Sequence, residues 1–141
     1  MPATPEFASD CRILIVEDDP DSREPMQKAL RLFGYNADCA GTFLEGVAKL
    51  TADTRWLVLD LRLPDGDGAA LLRHIRQHEL PINVAVVTGS ADDSLLTQAV
   101  LLKPDAIFTK PVDFVDVAIW LAARDAHGPR AEALPGSYPP A

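Results

Sequence analysis

Six side chains in this 141-residue chain stand where apolar runs stop. Glu17, Asp18 and Asp19 follow RILIV, Asp60 follows WLVL, Thr88 follows NVAVV, and Lys110 follows AIFT. An acidic triplet by itself is ordinarily a solvated turn that favours a helix N-terminus. Two acidic groups brought to one place repel each other, so something positive belongs between them. Hard carboxylate oxygens suit magnesium, with manganese as the alternative, and such ions keep positions open for a phosphate oxygen. Singly, Thr88 reads as a cap or turn former and Lys110 as a solvated amine. Together they supply a hydroxyl donor and a cation, the set needed to hold a phosphoryl group on a carboxylate. Gly89 leaves room for that group.

Two other metal patterns are weaker. From Asp65, DGDGAALLRHIR puts Ala69 at the fifth and Arg76 at the twelfth position of an EF-hand loop, where oxygen ligands are required. His74 and His78 have i, i+4 spacing but no evident third ligand, which favours two solvated helix residues.

The elements that must position these groups alternate. Runs of strand character cover Arg12 to Glu17, Asn36 to Ala40, Trp56 to Asp60, Ile82 to Thr88 and Ala106 to Thr109. Segments of helical period cover about Ser22 to Phe33, Thr42 to Leu50, Gly68 to His78, Asp92 to Leu102 and Asp113 to Arg124. Most strands are nearly all apolar, which points to an α/β fold: a doubly wound parallel sheet with helices on both faces. In such sheets ligands bind outside the carboxyl ends of the strands, where the acids, Thr88 and Lys110 all lie. Pro25 conflicts with the first helix and places its proper start near Glu24.

Length fits a single domain over 12–125. The segments 1–11 and 126–141, rich in Pro and Ala, read as an N-terminal tail and a C-terminal tail or linker. Cys11 and Cys39 have no CxxC spacing and read as reduced thiols. No signal segment or bilayer-length apolar run appears, so a cytoplasmic location is expected, without membrane contact. A net charge of −8, with no cluster of Lys and Arg, argues against direct nucleic-acid binding.

In four separated stretches the chain resembles the response-regulator receiver domain of two-component phosphorelay systems. ILIVEDDPD resembles its first-strand acidic motif, VLDLRLPDGDG its phosphoacceptor loop, VVTGS its fourth-strand hydroxyl and FTKP its Lys-Pro. The resemblance spans roughly 12–124 and implies a flavodoxin-like five-stranded sheet in the order 2-1-3-4-5. It implies Asp60 as the phosphorylated residue, with Asp18 and Asp60 binding Mg2+ directly, Glu17 acting chiefly through water, and the Arg62 carbonyl completing the set. Thr88 and Lys110 would each hold a phosphoryl oxygen, and the bond before Pro111 is often cis in the family. The donor would be a sensor histidine kinase or a phosphotransfer protein, and the domain a regulator that assists its own phosphorylation and dephosphorylation.

Three features depart from the family pattern. Ile107 stands where Tyr or Phe is usual, and strand alternation points Phe108 to the opposite face, so a muted or different readout around the fourth helix is expected rather than lost phosphorylation. Lys103 and Pro104 replace a glycine-containing helix end, which predicts a differently shaped connection. The Arg62 side chain lies near the pocket mouth, either affecting phosphoryl lifetime or simply solvated.

Leu95, Leu96, Val100, Leu101 and Leu102, and the apolar last helix, exceed one buried stripe. Two explanations stand: a homodimer or partner surface with the fifth strand, or a tail folded back so that Leu134 and Tyr138 cover Trp120. Two other functions remain open on this fold. One is a receiver-like interaction module that is not phosphorylated. The other, a flavin-binding protein, lacks a phosphate-cradling loop after the first strand.

Overall fold

Strands that are apolar on consecutive residues must be covered on both sides, and in the computed structural model they are. The structure describes residues 12–89 and 94–125. Five parallel strands form the sheet: β1 (Arg12–Val16), β2 (Asn36–Ala40), β3 (Thr54–Asp60), β6 (Asn83–Thr88) and β7 (Ala106–Thr109). Their spatial order is β2-β1-β3-β6-β7, with Val16 opposite Ala40 and Leu59, and Asp60 opposite Val87. This is the expected doubly wound order.

Alternation divides the strand side chains between two cores. Ile13, Ile15, Trp56, Val58, Ala85 and Val87 face α1 (Pro20–Leu32) and α5 (Phe114–Asp125), packing with Leu30, Val117 and Leu121. Trp120 sets its ring edge-on to Trp56 at 5.3 Å. Leu14, Val16, Leu57, Leu59, Val84 and Val86 face the other way. There they meet Val47 of α2 (Phe43–Lys49), Leu71 and Ile75 of α3 (Gly68–Gln77), and Ala99 of α4 (Ser94–Val100).

Helix α1 corrects the sequence reading, because it begins at Pro20 and runs through Pro25. Proline suits the first helical turn, where its missing N–H is an orphan anyway. Asp19 caps the turn, accepting the Asp21 N–H at 3.0 Å. Pro25 removes the bond that would have reached the Asp21 carbonyl, but both residues are exposed, so water can take that carbonyl. Strand β3 starts two residues earlier than expected, at Thr54. The sequence also gave no sign of a hairpin between Asp60 and α3, formed by β4 (Arg62–Leu63) and β5 (Gly66–Asp67).

The connection after α4 turns left-handed without glycine, with Lys103 at φ 55°. That conformation costs a β-carbon residue about 1–2 kcal/mol. Arg76 offsets it, donating from Nε to the Leu102 carbonyl at 3.0 Å and from Nη2 to the Lys103 carbonyl at 2.9 Å. The same guanidinium lies 3.5 Å from Asp105 Oδ2. Asp105, whose side chain is fully buried, also pairs with Arg124 Nη2 at 3.2 Å and accepts the Val84 N–H at 2.8 Å. Arg124 donates to Asn83 Oδ1 at 3.1 Å as well. One carboxylate thus ties α3, α5, β6 and the α4–β7 connection at the end of the sheet opposite the acidic cluster.

Candidate functional site

Parallel pairing carries the ends of β1 and β3 to the same edge, so Glu17 and Asp18 arrive beside Asp60. One carboxylate oxygen from each of Glu17, Asp18 and Asp60 lies within 4.8 Å of the others. Glu17 and Asp60 are buried and Asp18 is exposed, which makes a cup with one open wall. Lys110 closes another side: its Nζ donates to Asp60 Oδ2 at 2.9 Å and lies 3.1 Å from Glu17 Oε1. The Lys110 N–H is in turn fixed to the Thr88 carbonyl at 2.9 Å. Thr88 is buried one residue beyond Val87, the partner of Asp60, so the hydroxyl-bearing residue ends the adjacent strand. The Lys110–Pro111 bond is cis.

The electrostatics follow from this crowding. Burial pushes the Glu17 carboxyl up to about 7, and the neighbouring Asp60 adds to the rise. Burial alone would lower the Lys110 ammonium, but Asp60 and Glu17 outweigh it and hold the group above its ordinary value. One ammonium facing three carboxylates leaves negative charge over. The donors are all hard oxygens on a half-open cup, which fits a magnesium or manganese ion.

Backbone contacts hold the acids in place. Arg23 of α1 donates from Nη1 to the Glu17 carbonyl at 3.0 Å and the Asp18 carbonyl at 3.3 Å. The Asp19 N–H donates to Glu17 Oε2 at 3.1 Å, and the Arg62 N–H to Asp60 Oδ1 at 3.0 Å. Gly68 begins α3 so close to the end of β3 that a β-carbon would sit 2.3 Å from the Asp60 carbonyl oxygen. A cavity of about 450 Å³ opens beside the acids, floored by Met26, Val87 and Phe114.

The structure therefore gathers Glu17, Asp18, Asp60 and Lys110, ends a neighbouring strand with Thr88, and sets Arg62 at the start of the hairpin. The rings of His74 and His78 lie 4.3 Å apart, tilted by 40°, at the C-terminal end of α3 and apart from this cluster. Phe108 packs toward Trp120, whereas Ile107 is 45% exposed, so the two face opposite ways. Leu101, Val115 and Ile119 are also exposed, leaving apolar surface on or beside α4, β7 and α5. Cys11, Leu134 and Tyr138 lie outside the described residues, as do the segments 1–11 and 126–141 that the sequence reads as tails. Sequence reasoning missed Arg23, Asp65 and Asp105. Among the described residues no helix is long and apolar enough to cross a membrane.

Comparison with known proteins agrees with this geometry. Residues 13–120 match the family model for the response regulator receiver domain. The acid tolerance regulatory protein ActR of Rhizobium meliloti is 31% identical over 132 residues, covering 88% of this chain and 68% of that protein. The C4-dicarboxylate transport transcriptional regulatory protein DctD of the same species is 34% identical over 89 residues, but these are 62% of this chain and 19% of DctD. The matched part of the PmrA regulator of Pectobacterium parmentieri is likewise only 38% of that protein. Among solved structures, a CheY-like receiver domain protein from Methanospirillum hungatei JF-1 superposes with a TM-score of 0.75 at 26% identity, covering 84% of this chain and 98% of that one. The non-phosphorylated HemR receiver domain of Leptospira biflexa gives 0.71 at 29% identity, covering 79% and 91%. Fold, strand-tip cluster and sequence thus agree, and the chain belongs to the response regulator receiver domain family.

Proposed function

We propose that this domain accepts a phosphoryl group on Asp60 from a phosphohistidine of a sensor histidine kinase or phosphotransfer protein, as one step of a cytoplasmic phosphorelay. The observation that carries the reading is the Lys110 ammonium shared between Asp60 and Glu17 at a three-carboxylate cup. A carboxylate attacking a phosphoryl group must approach negative charge, so an acceptor needs cations aimed at the transferred oxygens.

Glu17, Asp18, Asp60 and the Arg62 carbonyl would hold Mg2+, or Mn2+, whose chemistry is to neutralise charge on the phosphoryl oxygens. Asp60 Oδ1 accepts the Arg62 N–H and Oδ2 the Lys110 ammonium, so both oxygens are oriented. In the transfer an Asp60 oxygen bonds to phosphorus, the N–P bond of the phosphohistidine breaks, and its electron pair stays on the departing imidazole. Lys110 and Thr88 each take a phosphoryl oxygen. Water later cleaves the O–P bond, returning Asp60 and inorganic phosphate. Modification adds charge and acceptor oxygens beside Thr88, which biases the partner-binding surface.

The receiver domain corresponds to 12–125. Exposed Leu101, Ile107, Val115 and Ile119 suit a homodimer or partner face, and the net charge of −8 leaves direct nucleic-acid binding to other chains. Incubation with an acyl phosphate and Mg2+, followed by intact mass, tests the function. The parent gains one phosphoryl mass, and Asp60→Asn or a chelator abolishes the gain. Equal labelling of parent and variant would remove Asp60 from the role.

A further inference from the structure

The hairpin that follows Asp60 packs Leu63 against the core and is also fastened at its tip, outside the acidic cup. Asp65, at its tip, accepts the Phe43 N–H at 2.6 Å and the Leu44 N–H at 3.0 Å. These are the first two N–H groups of α2, which have no intrahelical partner. The remaining donors of that turn are already served: Thr42 Oγ1 takes the Glu45 N–H at 3.0 Å, and Glu45 Oε1 takes the Gly41 N–H at 2.6 Å. Asp65 therefore completes a cap that α2 cannot supply from its own sequence. The Phe43 and Leu44 amides hold its carboxyl below the ordinary value although the group is exposed. Gly66 packs beside Phe43, where an added β-carbon would lie 3.9 Å from its side chain. The other end of the same hairpin faces the acceptor, through the Arg62 N–H on Asp60 Oδ1 and the Gly68 N–H on the Leu61 carbonyl at 2.7 Å.

We propose that Asp65 is a positioning residue: by capping α2 it fixes the β4–β5 hairpin, and with it the Arg62 main chain against Asp60, so that α2 and the acceptor loop move together. This deepens the reading of Asp60 as acceptor and rests on it. Groups that hydrogen-bond a metal ligand commonly change metal affinity by about tenfold or more, and Asp65 acts one step further out, through the hairpin that carries Arg62.

The test compares the parent with Asp65→Ala and Asp65→Asn. It measures the Mg2+ concentration for half-maximal labelling by an acyl phosphate, the rate at saturating Mg2+, and the unfolding midpoint. Asp65→Ala raises half-saturation by about tenfold and slows labelling, and Asp65→Asn, which keeps an acceptor oxygen, recovers most of both. A purely structural role shifts the unfolding midpoint alone. In the parent, beryllofluoride with Mg2+ shifts the Phe43 and Leu44 amide resonances. A labelled parent that Asp65→Ala matches in rate and half-saturation overturns the inference alone, as does a parent whose two amides stay unmoved. A parent that takes no phosphoryl group overturns the acceptor reading and this inference with it.

Discussion

Lys110 and Asp60, fifty positions apart, meet at 2.9 Å because β3 and β7 flank β6 and end at one sheet edge. The contact is maintained from both sides, by the Thr88 carbonyl on the Lys110 N–H and the Arg62 N–H on Asp60. Lys110→Ala removes a charged hydrogen bond but none of the proposed metal ligands. We expect labelling of Asp60 to slow about 10–100-fold, with Mg2+ binding retained. Stopped-time intact mass and a separate Mg2+ titration check this, and a parent-like rate would deny Lys110 its part in transfer.

Gly68 is a steric requirement of the loop that follows Asp60. Alanine there would press on the Asp60 carbonyl oxygen and, at 2.9 Å, on the Leu61 α-carbon, both of them backbone. Gly68→Ala should cost about 1–3 kcal/mol of stability and slow labelling, because relief must displace the loop. Urea unfolding measures the first effect and mass labelling the second.

Asp105 makes the opposite prediction. Its buried carboxylate serves Arg76, Arg124 and the Val84 N–H at the far end of the sheet. Asp105→Ala takes the shared carboxylate from Arg76 and Arg124, which keep their carbonyl and Asn83 partners, and leaves the Val84 N–H without its acceptor; it should destabilise by about 3 kcal/mol in urea, while the folded fraction labels at the parent rate. A near-neutral change would show that the network contributes nothing net.

The sign of the pH effect at Asp65 follows from its lowered carboxyl. A group bound more weakly by protons in the folded than in the unfolded chain stabilises the fold above its ordinary value of 3.8. That contribution disappears as pH falls through the folded-state value. The unfolding midpoint of Asp65→Asn should therefore lie below the parent's near neutrality and converge on it in acid. A constant gap at every pH would exclude the charge as its origin.

Ile107 and the Asp105 lock together predict a quiet α4–β7 connection. No ring stands at residue 107 to rotate, and Arg76 holds the Leu102 and Lys103 carbonyls. Amide hydrogen exchange over Leu101–Thr109 should change little when beryllofluoride and Mg2+ are added. Large deprotection there would show the usual response operating without an aromatic residue.

The strand-tip cup was legible because each of its residues interrupts an apolar run, and a parallel sheet brings such interruptions to one edge. Glu17, Asp60, Thr88 and Lys110 were readable one strand at a time. Asp65 was not, since its partners are amides of a helix more than twenty residues earlier; the signal available was that Thr42 and Glu45 leave two N–H groups of α2 uncapped. Asp105 carried no signal of its own ahead of AIF, and only the meeting of two helix ends showed that Arg76 and Arg124 enclose it. Pro25 misplaced the start of α1 because the sequence does not reveal that the affected turn faces solvent. The β4–β5 hairpin has two-residue strands, too short for any periodicity to mark.

The central claim is tested most directly by locating the modification. After treatment with an acyl phosphate and Mg2+, borohydride reduction converts an aspartyl phosphate to homoserine, which peptide mass spectrometry reads at a single position. Conversion at residue 60, dependent on both reagents, is the predicted result. Conversion at another carboxylate, or none in a chain that has gained phosphoryl mass, would contradict it.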